Sequence, residues 1–224
     1  LIVRADGQQD SRGCGVAYFA LEQTPSEVEF LASCAIAGVK RESFLDGTAS
    51  DADFEARERA EQTFERLPVI IDARTDLSIE NLANRVREMR FRFQHEYGVP
   101  LRLVVIDTLQ IFAFGEESDP SKQAALTDAA CRGVRKLSTR EEFANVAWIE
   151  LSQENDDGKT FGSRAPVHHC TAWIGLDVTE DDSQFAQPDV SNATFTIKVN
   201  RHGKPGKQAS VWLNTATGRV GAGA

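Results

Sequence analysis

A chain of 224 residues, 41% hydrophobic and 26% charged, is long enough to bury one α/β core, and no compositional shift asks for a second domain. Its formal net charge of −9 excludes a general polyanion-binding surface, because phosphate neutralisation needs clustered Lys and Arg, yet it leaves room for a local basic channel. No apolar stretch is long enough to cross a bilayer, no signal-peptide order opens the chain, and Cys14, Cys34, Cys131 and Cys170 form no CxxC pair; a soluble, cytoplasmic protein with reduced thiols is expected.

The first apolar run, Val16–Leu21, reads as a strand and ends in Glu22. Thr24-Pro25-Ser26-Glu27 then has the form of a helix start, with Thr24 as N-cap, Pro25 at the first helical position and Glu27 reaching back. That helix runs to about Ala37. With the capping role filled, Glu22 is left without a structural task. A polar helix from about Asp51 to Arg66 and a short strand, Val69–Ile71, follow. Ile79, Leu82, Val86, Met89, Phe93 and Tyr97 recur at helical spacing and form a core-facing stripe.

Leu103-Val104-Val105-Ile106-Asp107 is an unbroken apolar run ending in an acid, followed by Thr108-Leu109-Gln110. Such a run suits a strand buried on both faces of a parallel sheet, and the acid emerges at the carboxyl edge, where open α/β sheets bind ligands. Asp107 at a strand end can equally cap the next turn. Two strand-tip carboxylates, however, are what a water-activating base and a Mg²⁺-holding acid require. A helix from about Ser121 to Glu142 leads to a third run, Val146–Leu151, ending in Ser152-Gln153. The Gln amide can donate and accept at once, which suits sensing a phosphate or orienting a water; a Ser-Gln turn is the plainer reading.

The final third reads as strands Ala172–Val178, Ala193–Val199 and Ser210–Leu213. The polar loops Gly115–Gln123 and Glu154–Pro166 follow the two chemical strands and are placed to touch nucleic acid. His168-His169-Cys170, read as strand, would let only His168 and Cys170 share a metal, and no further ligand stands at a recognisable spacing, so no metal site is expected there. Lys198–Lys207 gathers basic residues either in a solvated hairpin loop or as phosphate contacts through Lys198 and Arg201.

Taken in order, Tyr18-Phe19-Ala20-Leu21-Glu22, Asp46-Gly47 with its acidic helix, Leu103–Gln110, Leu151-Ser152-Gln153 and Lys198–Gly206 resemble the C-terminal RecA-like ATPase domain of the bacterial and phage replicative helicases, the DnaB family. The resemblance runs from about Val16 to Val220. It implies a RecA-like P-loop NTPase core of the α/β class, with a mostly parallel central sheet, helices on both faces and a β-rich C-terminal part, as a single domain over 1–224. It implies ATP and Mg²⁺ as cofactors. Glu22 matches the catalytic base, Asp107 the Walker B acid that helps hold Mg²⁺, and Gln153 the residue linking the γ-phosphate to the DNA-contacting loops. Lys198 and Arg201 fall where the family places a lysine sensor and an arginine finger acting on the neighbouring subunit's nucleotide. Lys122, Lys159 and Arg164 become candidate DNA contacts. The implied function is a replicative DNA helicase motor, a homo-oligomeric, hexameric ring on single-stranded DNA, engaging primase and a helicase loader through regions outside this chain.

Two departures stand beside these matches. No G-x-x-x-x-G-K-[ST] occurs, so a phosphate-binding strand, loop and helix of roughly 30 residues is absent, and the chain by itself is expected to bind ATP poorly or not at all. The initial Leu1 suggests a trimmed polypeptide. At Gly162–His169, histidines and a proline replace the family's acidic segment. A RecA-like recombinase or plasmid-replication ATPase, and a non-catalytic RecA-like interaction module, are the alternative readings.

Overall fold

A computed structural model of the chain describes residues 2–3, 9–10, 13–74, 77–114, 117, 119–153, 165–179 and 189–222. In chain order the elements are β1 (Ile2–Val3), β2 (Gln9–Asp10), β3 (Gly15–Ala20), α1 (Pro25–Ala37), α2 (Arg41–Leu45), α3 (Asp51–Glu65), β4 (Val69–Asp72) and α4 (Ile79–Arg92). After these come β5 (Leu101–Asp107), α5 (Leu109–Phe114), α6 (Pro120–Ser138), β6 (Ala147–Glu150), α7 (Ala165–His169), β7 (Ala172–Thr179), β8 (Val190–Asn200), β9 (Gln208–Asn214) and β10 (Arg219–Ala222). They form two compact units, one from Leu1–Pro25 and Leu67–His169, the other from Ser26–Arg66 and Cys170–Ala224.

In the first unit β4, β3, β5 and β6 lie side by side in that order, all parallel, so their carboxyl ends share one edge. Ala17 and Phe19 of β3 and Val104 and Ile106 of β5 turn one face of the sheet toward Leu82, Val86 and Met89 of α4, Val134 and Leu137 of α6, and Phe93. Leu82, Val86, Met89 and Phe93 of the predicted stripe face the core and Ile79 packs against it, whereas Tyr97 is 36% exposed; α4 runs on into a π-helical turn, Phe93–Tyr97, closed by Gly98 at φ 66°. Among the described residues β6 ends the sheet with its outer edge unpaired, and there Ile149 and Leu151 are 45% and 42% exposed.

Three expectations need correction. The helix predicted to reach Glu142 stops at Ser138, because a tight 3₁₀ turn over Glu141–Phe143 is needed to return Phe143 to the core. The same helix starts at Pro120 behind an Asp119 cap, so Lys122 sits in its first turn rather than on a loop. His168 and His169 end the helix α7 instead of lying on a strand; buried Ala165 packs there with Ala130 and Cys131 of α6.

In the second unit β10, β9, β8 and β7 form an antiparallel sheet. The basic run is a hairpin between β8 and β9, closed by Gly206 N–H donating to Ile197 O at 2.8 Å, with Gly206 at φ 85°. Phe44 meets Phe30 and Phe54 edge to face, and Arg57 lies over the Phe30 and Phe44 rings. Ser50 and Asp53 close a capping box on α3. Arg219 donates from Nε to Ala35 O and from Nη2 to Ile36 O, each at 2.7 Å, satisfying carbonyls at the end of α1.

Candidate functional site

Parallel pairing puts Ala20 opposite Asp107 and Ile106 opposite Glu150, so the residues after β3, β5 and β6 emerge together. Backbone bonds carry the alignment past the strands: Leu21 N–H donates to Asp107 O at 2.6 Å, and Leu109 N–H to Leu151 O at 2.8 Å. The Asp107–Thr108 peptide is cis.

Three predicted site residues meet at this edge. Glu22 is exposed; its Oε1 accepts from Thr108 Oγ1 at 2.9 Å and from Gln153 Nε2 at 3.2 Å. Asp107 is half-buried and accepts at Oδ2 from the Tyr18 hydroxyl. Buried Gln110 supports Gln153 from behind: its Nε2 donates to Ser152 Oγ at 2.8 Å, and its Oε1 accepts from Gln153 N–H at 3.4 Å. Burial, then the bond to Asp107 and the charges of Asp107 and Glu22, push the Tyr18 phenol well above its ordinary value, so it stays a donor. An exposed carboxylate held by two donors can accept a proton from water, and a second acid beside it can face a cation.

Sequence reasoning passed over Thr108 and Gln110 as site members, and Asp72 altogether. Asp72 ends β4 as Asp107 ends β5, an apolar run closing in an acid, so the signal was present. Its side chain is buried and accepts from Arg74 N at 3.1 Å, Nε at 3.0 Å and Nη2 at 2.8 Å, and from Arg85 Nε at 3.2 Å. Its oxygens are thereby committed to arginines. Glu150, on β6, has its carboxyl raised to about 7 by burial.

Lys198 and Arg201 belong to the second unit. The Lys198 stem crosses Gly175 of β7, where a Cβ would stand 2.2 Å from Lys198 Cε. Arg201 donates from its backbone N–H to Thr171 O at 3.0 Å and from Nε to Cys170 O at 2.7 Å. Lys122 Nζ lies 3.4 Å from Glu117 Oε2. Lys159 and Arg164 lie outside the described residues.

Among the described residues no group of three or more His, Cys, Asp or Glu converges as a metal site. His169 Nε2 is instead 3.0 Å from Asp128 Oδ1, which joins α7 to α6. Asp107 suits Mg²⁺, which keeps several waters and takes one or two carboxylates plus substrate phosphates. A cleft of about 600 Å³, lined by Arg87, Arg90, Phe91, His95 and Arg102, lies at the Leu101 end of β5, away from the acids. Among the described residues no helix is long and apolar enough to cross a membrane.

Residues 2–167 match the model of the DnaB-like helicase C terminal domain family. The chain is 30% identical over 144 residues to the replicative DNA helicase DnaB of Synechocystis sp., which aligns 62% of this chain and 15% of that protein. It is 25% identical over 150 residues to the same-named protein of Mycobacterium intracellulare, 64% of this chain and 24% of that protein. The chain thus spans a minor part of these relatives. Among solved structures, one described as an ATPase domain superposes with TM-score 0.74 at 16% identity, covering 94% of this chain and 75% of that one. A DnaB-like replicative helicase, described with its interactions with primase, superposes with TM-score 0.70 at 14% identity, covering 92% of this chain and 50% of that one.

Proposed function

This chain belongs to the family of DnaB-like helicase C-terminal domains, and from that premise we propose that it supplies the catalytic edge of an ATP-driven replicative DNA helicase motor that unwinds duplex DNA while moving along a single strand. The observation that carries the reading is the meeting of Glu22, Gln153 and Thr108 beside Asp107 at one end of a parallel sheet. Glu22 takes the proton of the attacking water, with Thr108 and Gln153 fixing its carboxylate. Asp107 helps hold Mg²⁺, which when bound neutralises phosphate charge. Catalysis then rests on positioning and charge neutralisation. Gln153, joined both to Glu22 and through Gln110 to Ser152, relays the state of the γ-phosphate toward the segment that follows β6.

In a homo-oligomeric, hexameric ring Lys198 and Arg201 act on the neighbouring subunit's nucleotide. Lys122, Lys159 and Arg164 contact single-stranded DNA. The reading requires a phosphate cradle, which the given sequence, lacking G-x-x-x-x-G-K-[ST], does not itself supply. Primase and a loader are engaged through regions outside this chain, and the work is done in the cytoplasm.

The test is Glu22→Gln in the native gene product. ATP turnover stimulated by single-stranded DNA is expected to fall by about 10²–10⁴-fold with ATP binding retained. Unchanged turnover refutes the reading. Absence of any ATP binding in the wild type, in keeping with the missing G-x-x-x-x-G-K-[ST], favours a non-catalytic RecA-like interaction module instead.

A further inference from the structure

We propose that Tyr18 is the positioning residue for Asp107, its hydroxyl holding one carboxylate oxygen so that the other remains the acceptor for hydrated Mg²⁺; the inference rests on the motor reading above. Tyr18 stands opposite Val105 in the β3–β5 register, two residues before the Ala20–Asp107 pair. An aromatic side chain spans such a diagonal, and Ala20, opposite Asp107, is too small to block it. The phenol thereby reaches the next strand's acid.

The arrangement is reciprocal. β3 leads to the acid Glu22 and donates from Tyr18 to the acid of β5, while β5 carries Asp107 and is followed by Thr108, which donates to Glu22. Each acid is thus oriented by the strand that carries the other. A carboxylate without such a donor rotates freely about its Cβ–Cγ bond and must be ordered when the cation arrives. Removing the donor therefore weakens the hold on the cation more than the hold on the nucleotide.

The experiment compares wild type and Tyr18→Phe in the native gene product, titrating Mg²⁺ at saturating ATP. Half-saturating Mg²⁺ is expected to rise about tenfold, as for loss of one hydrogen bond to a charged group. Turnover at saturating Mg²⁺ stays within about twofold of wild type, since Glu22 is untouched. A Tyr18→Phe enzyme that turns over ATP with unchanged Mg²⁺ dependence overturns the inference and leaves the motor reading standing. A wild type without Mg²⁺-dependent turnover overturns the motor reading, and this inference with it. Urea midpoints of Tyr18→Phe, Asp107→Asn and the double variant supply an arm that needs no turnover. Stability changes that fall short of additivity support the contact, and additive changes overturn it. If Tyr18→Phe fails to fold, Asp107→Asn restores folding where the lost contact is the cause; no rescue overturns the proposal.

Discussion

Replacing Asp72 by Ala removes the acceptor for four hydrogen bonds from Arg74 and Arg85. Breaking a buried ion pair from one side costs about 3–5 kcal/mol, because the partner charge is left uncompensated. Here the cost is smaller. The Arg74 side chain is 57% exposed and rehydrates, so its share is that of a surface pair, about 0–1 kcal/mol. The Arg85 side chain is only 22% exposed and retains Glu88 as its one other carboxylate partner among the described residues. The sum is a loss of about 2–3 kcal/mol for Asp72→Ala. Asp72→Asn, which keeps an acceptor for the Arg74 N–H, loses about half as much. Urea unfolding followed by circular dichroism reads this as a midpoint lower by about 1 M for Ala, with an unchanged slope. A loss below about 0.5 kcal/mol for Asp72→Ala would refute the reasoning, since a surface substitution does no more than that.

Glu150 gives a pH dependence whose sign follows from its burial. Its carboxyl is raised from 4.5 to about 7 in the folded chain, so between those values the native state binds the extra proton and stability falls as pH rises. The loss is on the order of 3 kcal/mol once pH exceeds about 7. Glu150→Gln should flatten this part of the profile in urea titrations at pH 5 and pH 8; an identical slope in the variant would count against it. Gly15→Ala acts through packing: the new Cβ would stand 2.5 Å from Phe93 Cγ, in a ring that is fully buried. Overpacking of this kind costs about 1–3 kcal/mol, against the usual gain on replacing Gly by Ala, and Phe93→Leu should recover part of it. A Gly15→Ala chain as heat-stable as wild type would mean that the ring yields freely.

The parts of the fold that were legible are those where side-chain period and burial agree. β5 shows an unbroken apolar run because it lies between β3 and β6 in the sheet, and α4 shows its stripe because one face meets the core. Glu22, Asp107 and Gln153 could be picked out as candidates because each follows such a run, although only Glu22, with Thr24 and Pro25 opening the next helix, was left without a local task. The misreadings concern short elements. A five-residue helix such as α7 is too brief for a period to show, and α6 ends where Phe143 must turn back, a demand made by a distant core. Tyr18 and Asp72 were hidden for another reason: what they do is set by partners on other elements, Asp107 on β5 and Arg85 on α4, and a linear pattern carries no information on that pairing. Nor could the sequence assign the His168-His169-Cys170 cluster, because Asp128, the partner of His169, lies 41 residues earlier.

The bonds from Arg219 to the last carbonyls of α1 span 184 and 183 residues, and Arg41 reaches Thr215 O across 174. On a ribosome, at about 5–20 residues per second, the end of α1 emerges roughly 10–40 s before the arginine that finishes it. Residues 26–66 therefore leave the tunnel as a layer whose closing partners do not yet exist, and water must serve the open carbonyls of Ala35 and Ile36 meanwhile. Completion of the second unit is timed by translation of its last strand, so the helical layer, made well before that strand, waits on it to be locked.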